Sequence, residues 1–240
     1  MRAKRVVLVG GLVLATVLGV AGGYYAGEVT KSPYPVASGV AAPLGAVTAS
    51  PTEGPLPRKT PKPDGYTPLN AKDLKFHRVN VTVDLVAVGG IDPPPVRMSV
   101  LVPIGWELLL TEKGEVKYQD PSHARWIRLA TVFPVKATPR QKRDQLVPNL
   151  KANVSYENNL KIIDQSDDVL DEDDGDQRQV STLRYSYIPQ EWTRPVVVKY
   201  VATSGRSGAN IEMSITGLAH DQKALDLIAD KAAESVTPKD

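Results

Sequence analysis

Residues Asp164–Asp176 read DQSDDVLDEDDGD, eight acidic side chains in thirteen positions with no basic residue among them. Carboxylates at that density are raw material for a hard-cation site, because Ca2+ takes about six to eight oxygen ligands. An EF-hand register fails: placing Gly175 sixth makes Leu170 the first ligand and Ser181 the twelfth. A looser surface calcium site from Asp171, Asp173, Asp174 and Asp176 stays open. The competing reading is a solvated, self-repelling turn between two strands.

The second charged cluster is basic. Lys136, Arg140, Lys142 and Arg143 surround the start of a predicted helix. Free backbone N–H groups at such a start favour phosphate or another anion, with anionic lipid headgroups and wall polymers as candidates. The alternative is an ordinary charged helix face.

Other chemistry has little support. His77, His123 and His220 are scattered without metal-ligand or dyad spacing, and cysteine is absent. That excludes disulfides, thiolate metal sites and a lipid-bearing cysteine. Ser204 and Ser207 lie in SGRSG rather than in a nucleophile elbow, and no phosphate-binding glycine motif occurs. No cofactor is expected. The sequons at Asn80 and Asn153 are short enough to arise by chance. Trp106, Trp126 and Trp192 with Tyr185 and Tyr187 form a candidate ligand groove, set against plain core packing. A formal net charge of +2, from 29 basic and 27 acidic side chains, gives no nucleic-acid footprint.

The elements that must position these residues begin near Ala71. Val79–Val88 alternates as a strand and is closed by Gly89-Gly90 and three prolines. Strands are also predicted at Arg97–Val102, Glu115–Gln119 and Arg125–Phe133, with the last two joined by the turn sequence DPSH. Thr138 caps a helix that carries Pro139 at its first position and runs to about Asn153, with Pro148 expected to kink or divide it. Leu160–Ile163 and Ser181–Ile188 flank the acidic segment. Arg194–Ala202 and Ala209–Thr216 form a hairpin. In the latter strand Ile211, Met213 and Ile215 alternate with Glu212 and Ser214, predicting one buried and one wet face. From about Asp221 an amphipathic helix places Leu225, Ile228, Ala232 and Val236 on one face. The sum is an α+β domain of one mainly antiparallel sheet with two helices.

Ahead of it lie three further regions. Residues 1–5 are a basic N-terminus. Val6–Gly23 is an uncharged run of 18 residues followed by Tyr24 and Tyr25, so residues 6–25 read as a transmembrane anchor. Arg2, Lys4 and Arg5 keep the N-terminus cytoplasmic and place the C-terminal domain outside the plasma membrane. Cleavage after Ala21 is the competing reading, since Gly19 and Ala21 are small at both required positions. Gly11, Ala15, Gly19, Gly23 and Gly27 recur every four residues, a face on which two copies of the helix could pair. Residues 26–70 read as an extended extracytoplasmic linker, with nine prolines between Ser32 and Leu69.

Residues 98–132, MSVLVPIGWELLLTEKGEVKYQDPSHARWIRLATV, carry a resemblance. An apolar strand leads into Val-Pro-x-Gly-Trp, then a variable turn, a strand ending in Asp-Pro and an alternating strand. This resembles the Mog1/PsbP-like domains found outside the membrane in actinobacteria, the group of the LpqN/LpqT lipoproteins. The specific residues are Pro103-Ile104-Gly105-Trp106 and Asp120-Pro121, and Glu234-Ser235-Val236 resembles the end of that group's last helix. The resemblance implies an α/β/α sandwich over about residues 74–237 in domain 71–240, and a non-catalytic binding or accessory role in the cell envelope. It supplies no catalytic residues. The expected partners are the membrane, an unidentified envelope protein, lipid or wall polymer, and a second copy through the anchor. The alternatives are a secreted small-ligand carrier and an envelope hydrolase with a spatially assembled site.

Overall fold

The computed structural model describes residues 56–84, 94–110, 115–132, 135–171, 177–203 and 206–239. The anchor 6–25, the ladder Gly11, Ala15, Gly19 and Gly23, and most of the linker lie outside them. No helix among the described residues is long and apolar enough to cross a membrane. One compact unit runs from Arg58 to the C-terminus.

Its described strands are β1 (Phe76–Val83), β2 (Val96–Pro103), β3 (Glu107–Leu110), β4 (Glu115–Gln119), β5 (Trp126–Thr131), β6 (Lys161–Asp171), β7 (Gln177–Tyr187), β8 (Arg194–Ala202), β9 (Ile211–Thr216) and β10 (Thr237–Lys239). Helix α1 is Pro139–Asn153 and helix α2 is Gln222–Ser235. An α+β fold with antiparallel pairing and two helices is as expected. A single sheet is not: the strands divide into a three-stranded sheet, β1-β2-β10, and a seven-stranded sheet, β3-β4-β5-β9-β8-β7-β6. The short strand β10, with Pro238 at its centre, pairs on β2 and makes the small sheet.

The main core lies between the large sheet and a layer made by α2 and the small sheet. Met98, Val100 and Val102 of β2 meet Ile127 and Leu129 of β5, Met213 and Ile215 of β9, and Leu225 and Ile228 of α2, all 0% exposed. Helix α2 presents Ala229, Ala232 and Ala233 to the same core, so its backbone lies close to the sheet. Gly217 lies against this helix with no room for a side chain, because a Cβ there would sit 2.8 Å from Leu225 Cδ2.

Helix α1 packs on β7 and β8 from the other face of the large sheet. Thr138 and Gln141 form a reciprocal capping box, with Gln141 N–H donating to Thr138 Oγ1 at 3.2 Å and Thr138 N–H to Gln141 Oε1 at 3.0 Å. The helix runs on through Pro148 instead of dividing there, and Pro148 is exposed. Water can satisfy the carbonyl that the proline leaves without a donor.

Two further expectations change. The composition of the acidic run predicts a turn, yet β6 extends to Asp171 and takes Asp164, Asp167 and Asp168 into the edge of the sheet. Arg184 of β7 holds Asp164 at 2.8 Å and Arg143 of α1 holds Asp167 at 2.8 Å, which offsets the repulsion that composition alone implies. The second concerns β9: Ser214 is 9% and Thr216 1% exposed, so its polar face is enclosed rather than wet.

The linker's last part lies along the compact unit. Lys59 N–H donates to Glu157 O and Lys62 N–H to Glu191 O, both at 2.8 Å. Leu69 N–H donates to Asp221 Oδ1 at 2.8 Å, and Arg125 Nη2 donates to Thr67 O at 2.6 Å.

Candidate functional site

Antiparallel register places opposite residues side by side on one face, with neighbours two residues along pointing the same way. On the face that carries α1, Val198 and Tyr200 of β8 lie beside Ser214 and Glu212 of β9. Ser214 lies opposite Arg128, and Thr216 opposite Trp126 of β5. Arg128 in turn lies opposite Lys117, and Ala130 opposite Glu115 of β4. Beyond α1, the face thus changes from apolar to charged and aromatic.

Lys117 and Arg128 are directly opposed cations, an unfavourable pair. They turn apart along the strands. Arg128 reaches Glu115 at 3.2 Å and Glu212 at 2.8 Å, which flank Ala130 one step away. Lys117 turns the other way and lies 4.4 Å from the Trp126 ring centroid. Arg194 of β8 lies 5.2 Å from the same ring and 5.9 Å from that of Trp192. Tyr66 meets Trp192 edge to face at 5.6 Å. The result is a ladder that alternates cations with indoles, Lys117–Trp126–Arg194–Trp192, and ends on Tyr66. Each cation–ring contact is worth about 0.5–2 kcal/mol as desolvation grows.

Tyr200 closes the charged end. Burial pushes its hydroxyl well above the usual phenol range, and the neighbouring Glu212 carboxylate pushes the same way. The hydroxyl therefore stays protonated and serves as a donor. Glu115, Lys117 and Tyr200 are buried, at 9%, 6% and 4% exposure, and back the partly exposed Arg128, Glu212, Trp126, Arg194 and Trp192. Those five partly exposed side chains can recognise polar and aromatic groups by hydrogen bonding and stacking.

The residues singled out from sequence are dispersed. Trp106 is 7% exposed in the main core, while Tyr185 and Tyr187 pair at 6.1 Å on β7. Only Trp126 and Trp192 join the ladder. Of the basic cluster, Arg143 is 5% exposed and donates to Asp144, Asp167 and Ser166 O. Arg140 lies 3.8 Å from both Asp144 and Asp167. Lys142 is half-buried on α1. Lys136 borders a shallow depression with Arg206, Ser207 and Thr138. Asp171 ends β6, and Asp173, Asp174 and Asp176 lie outside the described residues. Among the described residues no three His, Asp or Glu side chains are placed to hold a metal ion.

The histidines stand apart. His77 is on β1 and His123 is in the β4–β5 turn, whereas His220 lies 3.5 Å from Asp64 and 3.5 Å from Asp221. That last contact belongs to a buried ionic hub. Arg125 Nε donates to Asp221 at 2.6 Å and its Nη1 donates to Asp120 at 3.1 Å, with the three side chains no more than 7% exposed. Asp120 also accepts the N–H groups of Ala124 and Arg125 at 3.0 Å and so shapes the turn.

Sequence reasoning missed Glu115, Lys117, Arg128, Arg194 and Glu212 as a group. Alternation within β4, β5 and β9 puts Glu115, Lys117, Arg128 and Glu212 on polar faces, while Arg194 opens the apolar strand β8. The pairing of β5 with β9 brings them together, and nothing local encodes it.

No protein-family model matches the chain, and no curated protein matches it in sequence. Among solved structures, the chain is similar to the 1.9 Å crystal structure of the Saccharomyces cerevisiae Ran-binding protein Mog1p. The identity is 12%, the TM-score 0.43, and the match covers 67% of this chain and 96% of that one. A likeness at this level carries no residue, partner or activity across.

Proposed function

We propose that this chain is a membrane-anchored, non-catalytic binding module of the cell envelope. Val6–Gly23 holds it in the plasma membrane, the Pro-rich segment spaces it from the bilayer, and the α+β unit binds an envelope protein or polymer. The observation that carries the binding reading is the cation–indole ladder beside the Glu115–Arg128–Glu212 triad. It sets recognition groups in fixed order on a rigid sheet, where little ordering entropy remains to be lost on association. The anchor reading draws on the length of the uncharged run, the basic residues before it and the tyrosines after it.

Fractionation of cells that carry the full chain with a C-terminal tag, followed by intact-mass analysis, tests the anchor. Full-length mass in the membrane fraction, with the tag reachable from outside, is the expected result. A mass that begins near Gly22 in the medium overturns the anchor and favours a secreted carrier. Crosslinking of neighbours in the same cells tests the face: Trp126→Ala should lose a partner that the parent captures, and an unchanged set of crosslinks overturns the ladder as the binding surface.

A further inference from the structure

The segment Arg58–Asn70 is held like a ligand. Lys59 and Lys62 are three residues apart, the repeat of a polyproline II helix, and prolines 61 and 63 flank Lys62. Both lysines donate their backbone N–H to main-chain carbonyls of the compact unit, Lys59 to Glu157 and Lys62 to Glu191, at 2.8 Å. Their amines reinforce the same register. Lys59 Nζ donates to Asn158 Oδ1 and to Pro189 O, both at 2.6 Å, and Lys62 Nζ meets Glu191 Oε1 at 2.5 Å.

The acceptors come from two turns. One is the 3-10 turn Tyr156–Asn158 after α1, and the other is the connection between β7 and β8. Ile188 N–H donates to Asn158 O at 2.6 Å and ties the two turns into one trough. Aromatic rings stand at its ends: Arg58 lies 4.7 Å above the Tyr156 ring, and Tyr66 meets Trp192. Folded domains read proline-rich segments in aromatic-lined grooves, and here main-chain carbonyls add acceptors for the strap's donors at 59 and 62.

We propose that this trough is a recognition site for extended Pro- and Lys-rich peptides, occupied in cis by the chain's own residues 58–70. The site adjoins the charged sheet face, sharing Trp192 and the strap's Tyr66 with it, and it holds whether or not residues 6–25 span a membrane. The part from Arg58 to Tyr66 is held by polar and ring contacts at a partly exposed surface and can exchange, while Thr67 and Leu69 stay fixed on the buried Arg125 and Asp221. Tethering raises the strap's effective concentration to roughly the millimolar range. A free peptide of the same sequence therefore competes poorly with the intact chain and binds well once the strap is weakened.

The test uses the full chain in detergent and a fluorescein-labelled peptide, RKTPKPDGYTPLN, read by anisotropy. A Lys59→Ser/Lys62→Ser variant should bind the peptide at least tenfold more tightly than the parent chain does. Adding Asn158→Ala and Glu191→Lys to that variant should abolish binding. A strap-weakened variant that melts as a folded protein yet binds no better than the parent overturns the site. So does equal binding of a scrambled peptide of the same composition, which would reduce the contact to charge alone. If the strap variant does not fold, Tyr66→Ala supplies a second route, with the same tenfold gain expected and the same absence of gain overturning the proposal.

Discussion

Helices α1 and α2 cover opposite faces of one sheet and are attached by different physics. Helix α2 buries Ala224, Leu225, Ile228, Ala229, Ala232 and Ala233, whereas the buried residues of α1 are Pro139 and Arg143. The first is fixed by apolar area removed from water. The second depends on a capping box and on one guanidinium that grips Asp144 and Asp167. The main core therefore tolerates changes of salt that α1 does not. The face that α1 shares with the charged ladder is the adjustable side of the molecule.

The largest expected effect lies where α2 begins. Asp221→Ala should cost about 3–5 kcal/mol in urea unfolding, because Arg125 loses a buried partner while it stays buried itself. Leu225→Ala should cost roughly 2–5 kcal/mol by the same measurement, as befits a fully buried leucine packed against Gly217. A loss for either that matched a surface substitution would erase the contrast between the helices.

On the α1 side, Arg143→Ala should cost only about 1 kcal/mol, since Asp144 and Asp167 are 51% and 43% exposed and water screens the pairs. That difference should shrink in molar salt, while the Leu225→Ala difference should not. Thr138→Ala should cost about 1 kcal/mol through the lost cap, again by urea unfolding.

The smallest effect is alkaline. The Tyr200 hydroxyl is raised from its ordinary value of 10.0 by burial and by Glu212. The unfolded chain then releases its proton at lower pH than the folded one, so this contribution is complete below about pH 10 and falls as pH rises through the folded value. Tyr118 is raised by burial as well and adds to the slope. Tyr200→Phe should flatten the alkaline decline in unfolding free energy measured between pH 9 and pH 11, and an unchanged slope would remove Tyr200 from the account.

The sequence was most legible where local rules decide. The β4–β5 and β8–β9 pairings, the Thr138 cap and the apolar stripe of α2 follow from turn chemistry and periodicity, and each forms. The motif residues turn out to be architectural. Gly105 adopts φ +85° so that the chain can turn between β2 and β3 and leave Trp106 in the core, and Asp120 organises the turn that seats Arg125. What escaped depends on distant partners. Strand β6 looks like a turn until Arg184 and Arg143 neutralise its carboxylates. The ladder exists because β5 pairs with β9, and β10 is too short, with a proline inside it, to be read as a strand.

The place of β10 has a consequence for how the molecule is made. Hairpins such as β6–β7 join neighbouring stretches of chain and can close early, but Ser99 of β2 pairs with Thr237 of β10, near the far end of the sequence. Contacts of such separation are the slow step in assembling a domain. Strand β2 carries Met98 and Val100 in the core and waits for β10, which follows every strand of the large sheet along the chain. The small sheet therefore completes only after all seven strands of the large sheet have been made.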